Sequence, residues 1–250
     1  MRYRFFIILL LFVNLAVAQE VSVQFEQANQ TYRKGDFQKS IEQYESIVKN
    51  GYESPSLYYN LGNAYFKSEH ISSAILNYER AKRLAPHDED ILYNLKLANL
   101  RVIDKIEPIP QLFFVEWWNA VVHFFSVDGW SKLMIVSLWC MTVAFAMLFL
   151  VRNFSIRKIS LFVIILSIAL TVCSLVSIRQ EYSLLYNQQS AIIFSASVSI
   201  KSAPDEQSTD LFVLHEGVKV ELLDGVSNWR KIRLPDGKVG WMPANALRAI

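Results

Sequence analysis

The stretch LGNAYFKSEHISSAILNYERAKRLAP, residues 61–86, decides the fold of the N-terminal part of the chain. Shifting the sequence by 34 residues brings it into register with itself, so that Tyr44 falls on Tyr78. The same shift brings the tripeptide Tyr-Asn-Leu at residues 59–61 onto an identical tripeptide at residues 93–95. A period of this length is typical of arrays in which every unit is a pair of helices. The sequence therefore predicts stacked helix pairs in this region.

This stretch resembles a tetratricopeptide repeat. Small residues stand where the two helices of a unit cross, large residues fill the space beside the crossing, and a proline ends the second helix. These positions are Leu61, Gly62, Tyr65, Ala74, Tyr78, Ala81 and Pro86. A weaker unit covers residues 21–50, and residues 88–106 predict a third first helix without its partner, as in a terminal capping helix. The resemblance implies an all-α tetratricopeptide repeat domain over residues 21–106.

Arrays of this kind form a concave surface, lined mainly by the first helix of each pair, that binds peptides or partner proteins. Three basic residues, Arg33, Lys67 and Arg101, recur at the repeat spacing and are predicted to stack along one face. One hypothesis is a groove for an extended segment with some acidic character. The alternative is a solvated basic face that binds no ligand.

The resemblance also implies that Asn29 and Asn60 match two asparagine positions of the carboxylate clamp in peptide-binding tetratricopeptide proteins. The first lysine of that clamp is absent, because Phe25 stands at its position. This difference argues against capture of a C-terminal carboxylate. The predicted partner-binding residues of the groove are Asn29, Arg33, Tyr59, Asn60, Asn63, Lys67, Asn94 and Arg101.

The N-terminus has the pattern of a secretory signal peptide. Arg2 and Arg4 precede an apolar run at residues 5–13, and small residues at 16–18 precede polar ones. This pattern predicts a signal peptide over residues 1–18 that is cleaved after Ala18. An uncleaved anchor helix is the alternative. In both cases the residues that follow are expected outside the cytoplasm.

Residues 133–151 and 159–178 contain no charged residue. Each segment approaches the roughly 20 apolar residues that cross a bilayer core, which predicts two transmembrane helices. Core helices of a soluble domain are the alternative. The segment between them, residues 152–158, carries Arg152, Arg157 and Lys158 but no acidic residue. By the positive-inside rule this segment is predicted to be a cytoplasmic loop, with both flanking domains outside.

Residues 107–130 connect the repeats to the first predicted span. Pro108 and Pro110 predict a short stiff linker, and an aromatic stretch interrupted by Glu116, His123 and Asp128 follows. An aromatic, half-polar segment directly before a span predicts an interfacial helix at the level of the lipid headgroups. A third membrane crossing is the alternative.

Residues 191–250 have short alternating segments separated by Gly-rich turns, which predict five strands in a small closed β barrel. The segments at residues 215–223, 229–234 and 236–242 resemble bacterial SH3-like domains, with Gly240-Trp241 as the most specific piece. The resemblance implies binding of cell-wall peptides or protein segments. Trp229 and Trp241 are predicted either to form an aromatic binding surface or to belong to the barrel core.

The composition and the lack of catalytic motifs predict a membrane protein that is not an enzyme. Of the 250 residues 52% are hydrophobic and 19% charged, and the net charge of +2 gives no case for binding nucleic acid. The four histidines have no metal-ligand spacing, and neither a phosphate-binding loop nor a nucleophile elbow is present. The sequence thus predicts no enzyme, no cofactor and no metal. Cys140 and Cys173 lie in the predicted spans and are interpreted as small apolar residues, unless the two helices bring them face to face.

The predicted fold class is a multidomain membrane protein with an all-α tetratricopeptide repeat domain, two transmembrane helices and a C-terminal all-β SH3-like barrel. This arrangement resembles the BatE-type proteins of bacterial aerotolerance operons. The resemblance implies an inner-membrane scaffold with periplasmic domains, whose partners are von Willebrand-factor-A-domain membrane proteins and related operon products. Peptidoglycan and the lipid bilayer are further predicted partners. A wall-sensing receptor and a small transporter or channel subunit are the alternative functions.

Overall fold

A computed structural model of the chain describes residues 20–110, 112–122, 124–186 and 189–250. These residues form two compact units. The first unit combines the described residues up to Pro108 with residues 189–250, and the second covers residues 109–188. The predicted signal peptide, residues 1–18, lies outside the described residues.

The helical part of the first unit, called the array below, consists of antiparallel helix pairs followed by one further helix. Its described helices are α1 (residues 20–33), α2 (Phe37–Lys49), α3 (Pro55–Lys67), α4 (Ile71–Leu84) and α5 (Glu89–Asn99). The sequence predicted a third first helix over residues 88–106, but α5 ends at Asn99. Residues 102–110 have no helical structure. Helix α5 ends before the predicted boundary because the residues that follow it pack against residues 189–250.

The two helices of the second repeat cross closely at Gly62, as the repeat pattern predicts. A Cβ atom at Gly62 would lie 2.7 Å from the Cδ1 and Cε1 atoms of the Tyr78 ring. Tyr78 is 1% exposed, and Ala74 on the same helix is fully buried. Only a residue without a side chain therefore allows α3 and α4 to pack at this distance.

Residues 189–250, called the β module below, form one antiparallel sheet. The strands are β1 (Ser190–Ile193), β2 (Ser197–Lys201), β3 (Asp210–His215), β4 (Lys219–Val226), β5 (Trp229–Arg233), β6 (Val239–Pro243) and β7 (Leu247–Ala249). Their order in the sheet is β3-β2-β6-β5-β4-β1-β7, and a 3₁₀ turn at Ala244–Ala246 precedes the last strand.

The five strands predicted from the sequence correspond to β2–β6, and the structure adds β1 and β7. Strand β1 pairs with both β4 and β7. Its residues Ala191, Ile192 and Ile193 are all fully buried, so they lack the in–out alternation by which the other strands were predicted. Strand β7 has three residues, which is too short for any alternation to be recognised.

The array and the β module share one hydrophobic core. Buried residues of α4, α5 and the segment after α5 belong to the same cluster as the interior of the sheet. From the array these are Ala74, Ile75, Leu76, Tyr78, Leu95, Ala98 and Val102, and from the β module they include Ile192, Ile193, Ile200, Leu214, Val218 and Ile232. The sequence predicts residues 21–106 and 191–250 as separate modules. In the structure they are two parts of one folded body.

The second unit consists of α6 (Phe113–Val122), α7 (Val127–Leu150) and α8 (Phe154–Tyr186). Helix α7 and residues 154–180 of α8 are long and apolar enough to cross a membrane. The predicted loop at residues 152–158 is shorter in the structure, because the side chain of Asn153 accepts a hydrogen bond of 2.9 Å from the Ser155 backbone N–H. Because of this capping contact, α8 begins at Phe154, and Arg157 and Lys158 lie in its first turns.

Helices α7 and α8 pack through residues spaced by seven. On α7 the buried positions are Trp130, Ser137 and Ala144. On α8 they include Ser160, Ser167 and Ser174. Small residues at this spacing let two helices approach closely, and a hydrogen bond of 2.8 Å joins the hydroxyls of Ser137 and Thr171. Cys140 is exposed and Cys173 half-buried, and both are free thiols.

Helix α6 has 10 residues, about half the length that a crossing of the bilayer core requires. It packs against α8, where the Trp118 Nε1–H donates a hydrogen bond of 2.7 Å to the Gln180 side chain. Phe113 and Trp117 are 82% and 67% exposed. The predicted interfacial helix thus corresponds to α6, which is short for a third crossing, and its place at a membrane surface stays a prediction.

Candidate functional site

The face formed by α1, α3 and α5 carries four asparagines that repeat one hydrogen-bond arrangement, called the asparagine ladder below. Asn29 Oδ1 accepts hydrogen bonds from the Tyr44 hydroxyl (2.6 Å) and from Asn60 Nδ2 (2.9 Å). One repeat later, Asn63 Oδ1 accepts from the Tyr78 hydroxyl (2.7 Å) and from Asn94 Nδ2 (3.3 Å). The ladder joins each first helix to the second helix of its own unit and to the next first helix.

The ladder exists because two tyrosine hydroxyls are buried beneath it. Tyr44 and Tyr78 are each 1% exposed, and a buried hydroxyl requires a hydrogen-bond partner. Burial raises the pKa of Tyr44 to about 12 and also raises the pKa of Tyr78 above its usual range. Asn29 and Asn63 thus have a structural role that the sequence did not reveal.

Asn60 and Asn94 differ from the other two members of the ladder. Each uses Nδ2 for the ladder, and Asn94 Nδ2 also donates to the Tyr59 hydroxyl at 2.6 Å. Both residues are half-buried, and among the described residues neither Oδ1 atom has a hydrogen-bond partner. The Nδ2 group of each amide is already hydrogen-bonded, which fixes the orientation of the side chain. The free Oδ1 atom of each amide is therefore fixed in orientation as well. The face therefore presents two fixed acceptors, one repeat apart.

Of the three basic side chains predicted to line this face, two form ion pairs with acidic side chains. Arg33 is paired at 2.5 Å with Glu26, and this contact lowers the pKa of that carboxyl. Arg101, which lies beyond the end of α5, is paired at 2.5 Å with Glu69. Lys67 ends α3 and has no ion pair among the described residues. The face consequently carries less free positive charge than the sequence alone predicts.

Phe25, which replaces the first lysine of the carboxylate clamp, has a packing role. Its ring centroid lies 5.9 Å from that of Tyr44. Phe25 packs against the core of the first repeat. A phenyl ring in this packing role supplies no charge for a terminal carboxylate, and the absence of carboxylate capture stays a prediction.

The β module carries a second candidate surface, defined by Trp229, Lys231, Trp241 and Pro243 and called the tryptophan face below. Trp229 pairs with Pro243 across β5 and β6, and Lys231 pairs with Trp241. The Lys231 ammonium lies 5.9 Å from the Trp241 ring centroid. Both tryptophans are half-buried and lie outside the buried core, because neighbours such as Ile232 and Met242 fill the interior.

The contacts between the array and the β module include polar residues that sequence reasoning missed. Lys219 Nζ lies 2.8 Å from Glu79 Oε2, and Ser72 Oγ donates to Glu216 at 2.8 Å. Asp104 accepts a hydrogen bond of 2.7 Å from the His215 backbone N–H. Its second carboxylate oxygen lies 3.0 Å from His215 Nδ1.

Within the part of the chain that the structure describes, no group of three or more His, Cys, Asp or Glu residues is arranged to hold a metal ion. His215 is close to one carboxylate, Asp104, and that pair belongs to the contact between the array and the β module. The candidate sites are the face of α1, α3 and α5 and the tryptophan face.

Comparisons with known proteins identify both domain types. The tetratricopeptide repeat profile matches residues 55–88, and the bacterial SH3 domain profile matches residues 196–248. Curated relatives include the BBSome complex member BBS4 of Bos taurus and of Mus musculus. Each is 39% identical over 66 residues, which is 26% of this chain and 13% of the relative. The chain thus matches a small part of these relatives and contains a tetratricopeptide repeat together with a bacterial SH3 domain.

Proposed function

We propose that this protein is a membrane-anchored periplasmic scaffold, not an enzyme, that binds partner proteins through the face of α1, α3 and α5. The observation that carries the proposal is the pair of fixed acceptors, Asn60 Oδ1 and Asn94 Oδ1, on a face built from first helices. Acceptors that are already oriented need little ordering when a ligand binds, which favours affinity. They suit the backbone N–H groups of an extended segment.

The ligand is expected to be recognised mainly through its backbone. Arg33 and Arg101 are already paired with carboxylates of the protein itself, which leaves Lys67 as the cation of the predicted column without an ion pair among the described residues. Exposed ion pairs of this type contribute little to stability, so an acidic ligand gains little by replacing them. An acidic side chain close to Lys67 would add to binding without being required.

The periplasmic assignment is supported by the shared core of the array and the β module. Two parts that pack together must lie on the same side of any membrane, which fits a chain that crosses twice between them, through α7 and α8. The connection between α7 and α8 has Arg152, with Arg157 and Lys158 close behind, which favours a cytoplasmic position for this end. A bacterial SH3 domain also fits an extracytoplasmic position.

The partners proposed are membrane proteins with von Willebrand-factor A domains from aerotolerance operons. This part of the proposal is supported by the resemblance of the whole domain order to BatE-type proteins. The order comprises repeats, two apolar helices and a terminal bacterial SH3 domain.

The experiment that tests the scaffold is an affinity pull-down of the tagged full-length protein in mild detergent. The test variant is Asn60→Ala with Asn94→Ala, and the matched control is Asn99→Ala, an exposed asparagine at the end of α5 outside the ladder. We expect the wild type and the control to capture the same membrane proteins and the double variant to lose them, with unchanged helical circular dichroism. Equal capture by all three proteins would refute the proposed site.

A second candidate function is binding of cell-wall peptides at the tryptophan face. It is favoured by the outward position of Trp229 and Trp241 with Lys231 beside them. Aromatic rings and a cation together suit a peptide with an aliphatic stem and a carboxylate. Wild type should sediment with purified peptidoglycan and Trp241→Ala should not, with Val213→Ala, an exposed residue of β3, as the control that behaves like wild type. If none of the three sediments with peptidoglycan, this function is excluded.

A further inference from the structure

The two repeats differ on the outer face of their second helices. In the repeat register, Gln38 and Glu42 of α2 correspond to Ser72 and Leu76 of α4. The residues of α2 are exposed, whereas both residues of α4 are 4% exposed. Glu79 of α4 is also buried, at 8% exposure. Helix α4 therefore has a second buried face that α2 lacks, in addition to the face that packs on α3.

The β module covers this second face of α4 with both apolar and polar contacts. Lys219 pairs with the buried Glu79 carboxylate at 2.8 Å. Arg80 and Arg83 donate hydrogen bonds of 3.1 and 2.7 Å to the backbone oxygens of Ala249 and Ile250. A buried carboxylate requires a charged partner, so the Glu79–Lys219 pair fixes which part of the module can dock here.

The turn between β3 and β4 is shaped to fit the array. Gly217 has φ +88°, and a Cβ atom at this position would lie 2.9 Å from Val102 and 3.4 Å from Ile75. The turn adopts a conformation that favours glycine, and it approaches the array too closely for a side chain. Val102 and Ile75 are 8% and 0% exposed, so both are covered at this place.

The β module also covers the end of the array. Helix α5 is a first helix whose second helix is missing. Its residues Leu95 and Ala98 are nevertheless buried in the cluster shared with the β module. The segment after α5 continues onto the module, where Asp104 binds the backbone N–H of His215. An array that lacks its last helix would otherwise expose these apolar residues.

We propose that the β module is the C-terminal cap of the helical array, docked on α4 and α5 where the second helix of a third repeat would pack. This role is separate from the proposed binding of partners, since it uses other residues and another face. Capping holds α5 against α3 and α4, and α5 contributes Asn94 to the ladder. The cap is expected to be a structural requirement for the array.

Hydrogen–deuterium exchange of the full-length protein in detergent tests this proposal. The variants are Glu79→Lys, Lys219→Glu and the combination of both, and the control is Glu42→Lys, an exposed residue of α2. We expect each single reversal to speed amide exchange in α4 and α5 by about tenfold or more, while α1 and α2 stay protected. The combined variant should restore protection, because the ion pair is rebuilt with its charges exchanged.

A second variant avoids a charge reversal at a buried site. Leu76→Glu gives α4 the residue type of the first repeat and should release α4 and α5 in the same way, while β2–β6 keep their protection. Two outcomes would overturn the proposal. Unchanged exchange in α4 and α5 for all variants would show that the module is not a cap, and equal acceleration in α1 and α2 would show general unfolding instead of loss of a cap.

Discussion

At the scale of single residues, Gly62 determines how closely α3 and α4 pack. Alanine normally favours a helix over glycine by about 1 kcal/mol. Here the added methyl group would meet the Tyr78 ring at 2.7 Å, and Tyr78 is held by its buried ring and by its hydrogen bond to Asn63. We expect Gly62→Ala to reduce the free energy of unfolding of the array by ~1–3 kcal/mol.

Chemical denaturation followed by circular dichroism measures this effect. The control is Ser56→Ala, at an exposed position of the same helix, which should leave the free energy of unfolding nearly unchanged. Should Gly62→Ala prove as stable as the control, the close crossing described above would be wrong.

The raised pKa of Tyr44 predicts how the stability of the array changes at alkaline pH. Its pKa is raised from 10.0 to about 12 because the folded protein buries the hydroxyl, so the unfolded chain loses this proton first as the pH rises. The neutral Tyr44 hydroxyl therefore stabilises the fold fully below about pH 10, and this contribution is lost as the pH rises towards about 12. The free energy of unfolding should fall by at most ~1.4 kcal/mol per pH unit in this range. Unfolding measured across this range should show a weaker pH dependence in Tyr44→Phe. A dependence identical to that of wild type would contradict the assignment.

At the scale of elements, the asparagine ladder links three first helices through side chains. Asn63→Ala would leave the buried Tyr78 hydroxyl without its acceptor, which costs ~1–3 kcal/mol. Adding Tyr78→Phe removes the unpaired hydroxyl, so part of the loss should be recovered. A double-mutant cycle on the free energy of unfolding measures the coupling, which we expect at ~0.5–3 kcal/mol. Additive effects would mean that the two side chains do not interact.

Some helices and strands could be predicted from the sequence, and others could not. The helices of the repeats and strands β2–β6 were predicted because their packing residues recur at a fixed spacing or alternate. Strand β1 was missed because Ile192 and Ile193 are both buried, which removes the alternation. Asn60 was predicted as a site residue from a resemblance. Its link to Asn29 could not be predicted, since it depends on a tyrosine buried beneath the pair.

At the scale of the whole molecule, the docking of the β module on the array could not be predicted from the sequence of either domain alone. The sequence separates the two domains by two apolar helices, and each domain resembles a known independent type. The one available signal was a difference between repeats, where Leu76 stands at the position of Glu42. An apolar residue on the outer face of a terminal second helix indicates that something covers it.

The shared core makes a prediction about membrane topology. In a variant whose native Cys140 and Cys173 are replaced by alanine, single cysteines are introduced at Ser56, Gln207 and Arg152, all exposed positions. We expect a membrane-impermeant maleimide to label Ser56→Cys and Gln207→Cys in intact cells with a permeabilised outer envelope. Arg152→Cys should react only after the inner membrane is opened. Opposite labelling of Ser56→Cys and Gln207→Cys would be incompatible with one folded body.

The docking on α4 also has a consequence for biosynthesis. The paired residues are far apart in the chain, with a sequence separation of 140 for Glu79 and Lys219 and of 169 for Arg80 and Ala249. Both apolar helices are translated between them, so Leu76 of the nascent array stays uncovered until the β module has been translated. Such distant contacts form slowly, and exposed apolar surface invites aggregation in the meantime. A holding chaperone that binds exposed apolar surface would protect α4 during this interval.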